Sequence, residues 1–352
     1  MNPQQVLPRA ATPVSPQVAA QPYKVECICR LNDGDRDLLY DVLDVDINPY
    51  REYGRFLDRI RTIARNEVPS FFRELCRDIA ARDVRVQPVH YLQNCPIDRT
   101  VPVLDYDDPL TSKHEQKRTF VAEAFLSLIS ELLGTTIVGY RTANRGDMFH
   151  DIHPMRALAH TQSQKTQDTL HFHADIPNNK VRPDWVYLLS LRNSRANRVY
   201  TTFVRLADVL MNLDESLKEL LKRPLYYAPR EHVHVYGGQP DGFTALKPML
   251  ITERGYTFLA YFESRTSSDS REGREALAAL SAVLHRLSTS IFLDERDFVA
   301  LSNNASMHGR KVEEITDPEA QRNRWLLKTW NVDQIEDHVA HLMPGRINTS
   351  DE

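Results

Sequence analysis

The sequence predicts a mainly β chain with flanking helices, in which a jelly-roll or sandwich core stands behind an N-terminal helical layer. Three observations carry this. Before Gly134 the apolar residues recur at helical spacing. After it, short β-branched and aromatic runs are set between turn residues. The two textures are segregated along the chain rather than interleaved, which argues against βαβ units.

Between residues 50 and 83, Phe56, Ile60 and Ile63 and then Phe71, Phe72, Leu75 and Ile79 define the apolar faces of two helices, with Pro69 near the start of the second. Prolines 88, 96, 102 and 109 break any helix over the next stretch. Residues 120–133 form a third helix that Gly134 caps. Strand-like runs follow at 135–140, 185–191, 199–204, 248–253, 256–262 and 290–301. Two helical segments interrupt them, one over 213–221 and one over 274–287, where Leu277, Leu280, Val283, Leu284 and Leu287 share a face. The organisation expected is a disordered Pro/Gln/Ala-rich tail over 1–22 and a single domain over 23–352. Within that domain, 23–134 is helical, 135–352 is the β core, and an insert at 206–248 is a candidate lid.

Composition narrows the function. The 44 basic and 48 acidic residues of this 352-residue chain give a formal net charge of −4, with no Lys/Arg-rich run, so no nucleic-acid partner is expected. No apolar stretch reaches the roughly 18 residues that a membrane span needs, and the N-terminus lacks the apolar run of a secretion signal. The four cysteines, Cys27, Cys29, Cys76 and Cys95, read as reduced thiols, with Cys27 and Cys29 packed on a strand. A cytoplasmic protein is expected.

Metal-capable side chains concentrate at Thr169-Leu-His-Phe-His-Ala-Asp175. Alternate residues of a strand point to one side, so His173 and Asp175 can converge on a single ion. Far along the chain, Asn303-Asn-Ala-Ser-Met-His-Gly-Arg310 supplies His308, and Arg324 opens another strand-like run, Arg-Trp-Leu-Leu-Lys. Two histidines and one carboxylate on one face of iron(II) leave positions open for a keto acid and O₂. An arginine beyond the distal histidine offers a planar, permanent cation for the keto acid's far carboxylate.

The order of these motifs resembles the clavaminate synthase-like branch of the TauD/TfdA superfamily, which includes bacterial amino-acid β-hydroxylases. Matching segments are Leu170-His-Phe-His-Ala-Asp175, Pro183, Trp185-Val-Tyr-Leu-Leu-Ser-Leu-Arg-Asn193, Thr201-Thr202, Leu301-Ser-Asn-Asn-Ala-Ser-Met-His-Gly-Arg310 and Arg324-Trp-Leu326, so the likeness runs from about Phe120 to Trp330. It implies a double-stranded β-helix core of the jelly-roll, cupin-like kind. It further implies iron(II) on His173, Asp175 and His308, and 2-oxoglutarate held by Arg324, with Arg322 as a fallback, and by Thr201. O₂ is the co-reactant, and the substrate is an amino acid or amino-acid-derived small molecule of natural-product biosynthesis, hydroxylated, desaturated or cyclised. Substrate contacts are expected at His171, where the branch often carries Glu, at Gln162 in the loop before the metal strand, and at Lys328, where it often carries Arg. Asp175 stands where the branch more often has Glu, and retention of a carboxylate favours oxygenation over halogenation.

Other readings compete. His171-x-His173-x-Asp175 is similar to a metallo-hydrolase signature, although Ile176 stands where that pattern needs a fourth ligand. A non-catalytic jelly-roll binding protein is the other alternative, and it predicts damaged ligands. His150 and His153 are read as an entrance loop rather than a second metal site, and His232 and His234 as exposed strand positions.

Overall fold

A computed structural model of the chain describes residues 22–141, 143–229, 242–253, 255–343 and 348–349. The tail expected over 1–22 therefore lies outside the described residues apart from Pro22, as do His232 and His234.

The N-terminal layer contains α1 (Asp33–Leu43), α2 (Tyr53–Asn66), α3 (Ser70–Ala80), α4 (Pro109–Gln116) and α5 (Val121–Leu133). In α2, Phe56, Ile60 and Ile63 fall on one face and are fully buried, as the sequence spacing requires. Helix α5 is apolar nearly all round and buried along most of its length, because α1, α2 and α3 cover one side and the sheet the other. Gly134 ends it at φ 72°, a left-handed cap that a Cβ would disfavour.

Two sheets form the core. The major sheet has eight strands, in the order β1 (Cys27–Arg30), β2 (Val89–Gln93), β11 (Phe298–Ser302), β6 (Trp185–Arg192), β13 (Trp325–Val332), β3 (Thr136–Tyr140) and β14 (Asn348–Thr349), with β4 (His150–Ile152) also paired to β13. The minor sheet has four, in the order β10 (Thr289–Ile291), β7 (Arg198–Arg205), β12 (Ser306–Glu314) and β5 (Leu170–His173). A hairpin of β8 (Leu250–Glu253) and β9 (Tyr256–Leu259) stands apart. The run expected as one strand over 290–301 is two, β10 and β11, which belong to different sheets.

Strand alternation sorts side chains into three clusters and thereby creates the site. Along β6, Tyr187, Leu189 and Leu191 face the helical layer while Val186 and Leu188 face the space between the sheets. Along β13, Trp325 and Leu327 face the helices while Leu326 and Trp330 face inward, so Lys328 also points inward. On the minor sheet, Phe172, Val204 and Met307 face outward beneath α8 (Arg271–Leu287), which leaves His173, Phe203 and His308 facing inward. The first part of the insert proposed as a lid is α6 (Leu206–Asn212) and α7 (Glu215–Leu221), packed on α8 through Val209, Leu213 and Leu221. Helix α9 (Pro318–Arg322) sits between β12 and β13.

Candidate metal centre

His173 ends β5, Asp175 lies just beyond it, and His308 comes from β12, paired directly with His173 across the ladder. One ligand atom from each lies within 4.8 Å of the others, and all three residues are buried. Asp175 Oδ1 is 3.4 Å from His173 Nε2 and 3.8 Å from His308 Nε2, so these three atoms converge on one point. His173 Nδ1 donates to the His171 carbonyl at 2.8 Å, which fixes the tautomer with its lone pair on Nε2. Burial, reinforced by the His173 ring beside it, pushes the His308 imidazole down to about 3, so it stands neutral and ligand-competent at ordinary pH. Burial raises the Asp175 carboxyl, but the Lys328 ammonium and the two histidines outweigh that and hold it well below the usual carboxylate range.

Local backbone features bring these groups together. Gly309 is required because a Cβ there would lie 2.7 Å from the Leu170 carbonyl oxygen and 3.0 Å from Thr202 Oγ1, where β5 and β7 close on β12. Asp175 is clamped from behind: Asn303 Oδ1 accepts from its N–H at 2.7 Å and Asn303 Nδ2 donates to its carbonyl at 2.8 Å. The chain then turns through Ile176 at φ 47°, an uncommon conformation for a β-branched residue, and the Ile176 side chain enters the core. The fourth ligand that a metallo-hydrolase would need is thus an apolar core residue.

Beside the three donors, a cavity between the sheets is walled by Thr201, Arg310, Arg324 and Lys328, with Ile152, Leu170, Val186, Leu188 and Leu326 supplying apolar surface. Arg324 is 2% exposed, yet its Nε and Nη1 have no hydrogen-bond partner among the described residues. Burial and the neighbouring Arg310 charge push this guanidinium down to about 9. Arg310, lowered by burial to about 10, donates to the carbonyls of Thr166 at 2.7 Å and Asp168 at 3.3 Å. Arg322, the fallback, is exposed on α9 and does not line this cavity. Sequence reasoning passed over Arg310 as a site residue, although its place two residues after His308 on a strand carried the signal.

Of the three residues expected to meet substrate, Lys328 lines the cavity and donates to Asp175 Oδ2 at 3.0 Å. His171 does not line it. A bulge places Leu170, rather than His171, opposite Arg310 while His173 stays opposite His308, and the simple alternation fails there. Gln162 also lies outside the lining, and its amide donates to the Thr169 carbonyl at 2.9 Å and accepts from the His171 N–H at 3.1 Å, tying its loop to β5. His150 and His153 are not in an entrance loop. Both are completely buried, and His150 sits on β4 with its ring 4.1 Å from that of Trp330, because β4 pairs with β13 and fills the end of the sheet.

Comparison with known proteins agrees with this architecture. The chain is similar to clavaminate synthase 2 of Streptomyces clavuligerus, 26% identical over 221 residues that cover 60% of this chain and 66% of that enzyme, just under two thirds of its length. A structure of asparagine oxygenase in complex with Fe(II), 2S,3S-3-hydroxyasparagine and succinate superposes with a TM-score of 0.78 at 19% identity, covering 91% of this chain and 98% of that one. The non-heme iron oxygenase OrfP in complex with Fe and α-ketoglutaric acid superposes with a TM-score of 0.69 at 21% identity, covering 89% and 96%. The sequence pattern of the taurine catabolism dioxygenase TauD, TfdA family matches residues 121–330, well over half of the chain, and the chain therefore belongs to that family.

Proposed function

We propose that the protein is an iron(II)- and 2-oxoglutarate-dependent dioxygenase that oxidises an unactivated C–H bond of an amino acid or amino-acid-derived small molecule, with hydroxylation as the default outcome and desaturation or cyclisation as variants. One observation carries this reading above all: a buried guanidinium with two nitrogens unpartnered among the described residues opens onto the same cavity as a two-histidine, one-carboxylate donor set. A buried cation without an anion is costly, so a bound carboxylate is the natural complement. The metal alone would not account for Arg324.

The donor set fits iron(II): two imidazole nitrogens and one carboxylate oxygen on one face, with the cavity on the open side. When bound, iron and 2-oxoglutarate supply the oxidising chemistry with O₂, releasing succinate and CO₂. The residues of this chain hold and orient. His173, Asp175 and His308 would ligate the metal, Arg324 would pair bidentately with the far carboxylate of 2-oxoglutarate, and the Thr201 hydroxyl, across the ladder from Arg310, would hydrogen-bond the same molecule. Arg310 keeps the 163–169 loop against β12 and adds a second positive charge to the anion pocket. Ile152, Leu170, Val186, Leu188 and Leu326 exclude water around these charges, which strengthens each contact.

The amino-acid substrate class rests on the likeness to clavaminate synthase 2 and to asparagine oxygenase crystallised with hydroxyasparagine. The test is succinate release from 2-oxoglutarate with iron(II) and O₂ across a panel of amino acids and short peptides. Substrate-stimulated succinate with equimolar oxidised product is expected. No turnover with any member, and none uncoupled, would refute the reading.

A further inference from the structure

Lys328 occupies the position where a substrate-binding cation was expected, yet its ammonium is directed at a metal ligand. Asp175 Oδ2 accepts from Lys328 Nζ at 3.0 Å and from Trp330 Nε1 at 2.8 Å, while Asp175 Oδ1 is the oxygen that meets His173 and His308. The two carboxylate oxygens are thus assigned to different tasks by their neighbours.

We propose that Lys328 and Trp330 are positioning residues that reserve Asp175 Oδ2, so that Asp175 meets iron through Oδ1 alone and the coordination positions needed by 2-oxoglutarate stay open. This deepens the dioxygenase reading and rests on it. A carboxylate with both oxygens free can close on a metal as a two-toothed ligand and occupy an extra position. Two donors on Oδ2 remove that option, since a bidentate swing would break a charge-assisted bond and an indole bond together. The supporting geometry is stiff. Lys328 and Trp330 are alternate residues of β13, both on its inner face and both buried, and the Lys328 ammonium also lies 4.2 Å from the Trp330 ring centroid. Asp175 is itself held by Asn303 on both its backbone N–H and its carbonyl, so its side chain cannot relocate by moving the main chain. Asp is also one methylene shorter than the Glu that the sequence likeness leads one to expect. A shorter arm gives less freedom to choose an oxygen, and the β13 pair makes the choice.

The experiment is an anaerobic titration of iron(II)-loaded full-length protein with 2-oxoglutarate, following the visible iron-to-ketoacid charge-transfer band, in the parent, Lys328→Met and Trp330→Phe. The expected result is that all three bind one iron. The 2-oxoglutarate midpoint should rise about 10- to 100-fold in Lys328→Met and by about the lower end of that range in Trp330→Phe, the usual scale for losing an outer partner of a metal ligand. Trp330→Phe keeps the ring and deletes only the N–H donor, so it decides the matter if Lys328→Met folds poorly. A parent protein that gives no band sinks the dioxygenase reading itself. A normal parent band with an unchanged midpoint in both variants overturns this inference alone, and so does a band whose only loss tracks a loss of bound iron in Trp330→Phe.

Discussion

Replacing Arg324 with methionine should abolish the response of the protein to 2-oxoglutarate and, at neutral pH, leave the ligand-free protein as stable as the parent or more so. Burial, together with the neighbouring Arg310 charge, pushes the Arg324 guanidinium far below its ordinary range, to about 9. At about 1.4 kcal/mol per tenfold in proton affinity, that fall costs the folded state about 5 kcal/mol. The sign follows from linkage: the unfolded chain binds this proton more tightly than the native one, so the penalty is full below about pH 9 and fades as pH rises above it. Methionine carries no charge to bury and adapts to an apolar wall that includes Leu326 and Val186. In the parent, 2-oxoglutarate at one hundred times its dissociation constant should add about 2.7 kcal/mol of stability. Thermal unfolding of both proteins, loaded with the redox-inert stand-in cobalt(II), with and without 2-oxoglutarate, reads these terms. A variant that keeps the parent's 2-oxoglutarate shift, or one that unfolds far below the parent without ligand, would refute the reasoning, because either result means the guanidinium is not waiting for that carboxylate.

Three further outcomes follow from the same geometry. Asp175→Asn should lose metal binding and also destabilise the metal-free protein by about 3 kcal/mol in urea, because it deprives the buried Lys328 ammonium of the carboxylate at 3.0 Å. Acid should weaken the parent as pH falls from 6.5 toward about 3, since the unfolded chain protonates His308 while the buried native ring does not; His308→Gln should show a shallower loss over that window in denaturant midpoints taken at several pH values. Gly309→Ala should cost about 1–3 kcal/mol and weaken iron binding in equilibrium titration, because its Cβ would lie 2.7 Å from the Leu170 carbonyl oxygen and force β5 away from β12. An alanine variant with parental metal affinity would show that the two strands separate without disturbing His173.

The segments that determine their own conformation were legible in the sequence. The apolar spacing of α2, α3, α5 and α8 and the β-branched runs of β3, β6 and β7 appear where the residues place them. So does the closeness of His173 and Asp175, because strand parity is a local property, whereas His308 joins them through the β5–β12 ladder and was expected from the order of the motifs. The hidden parts depend on distant contacts. Helix α1 has weak amphipathicity and was covered only by the general expectation of a helical 23–134 part, and β2 lies between prolines 88 and 96, where breakers outvote a five-residue strand that owes its pairing to β11 and β1. His171 was expected at the site from the family likeness, and the bulge opposite Arg310 interrupts the regular alternation that would bring it there. The partners of Asp175 are more remote still: Lys328 and Trp330 lie 153 and 155 residues away along the chain, and no local pattern reports a bond of that span. Asn303 is a similar case, 128 residues from the backbone that it clamps.

One metal and one keto acid should share the space between His173, Asp175, His308 and Arg324. Anomalous diffraction at the iron edge, from crystals grown anaerobically with iron(II) and 2-oxoglutarate, tests it most directly. The expected result is a single iron peak between His173 Nε2, His308 Nε2 and Asp175 Oδ1, with the far carboxylate of 2-oxoglutarate against the Arg324 guanidinium. Iron bound at another set of residues, or 2-oxoglutarate seated away from Arg324, would contradict it.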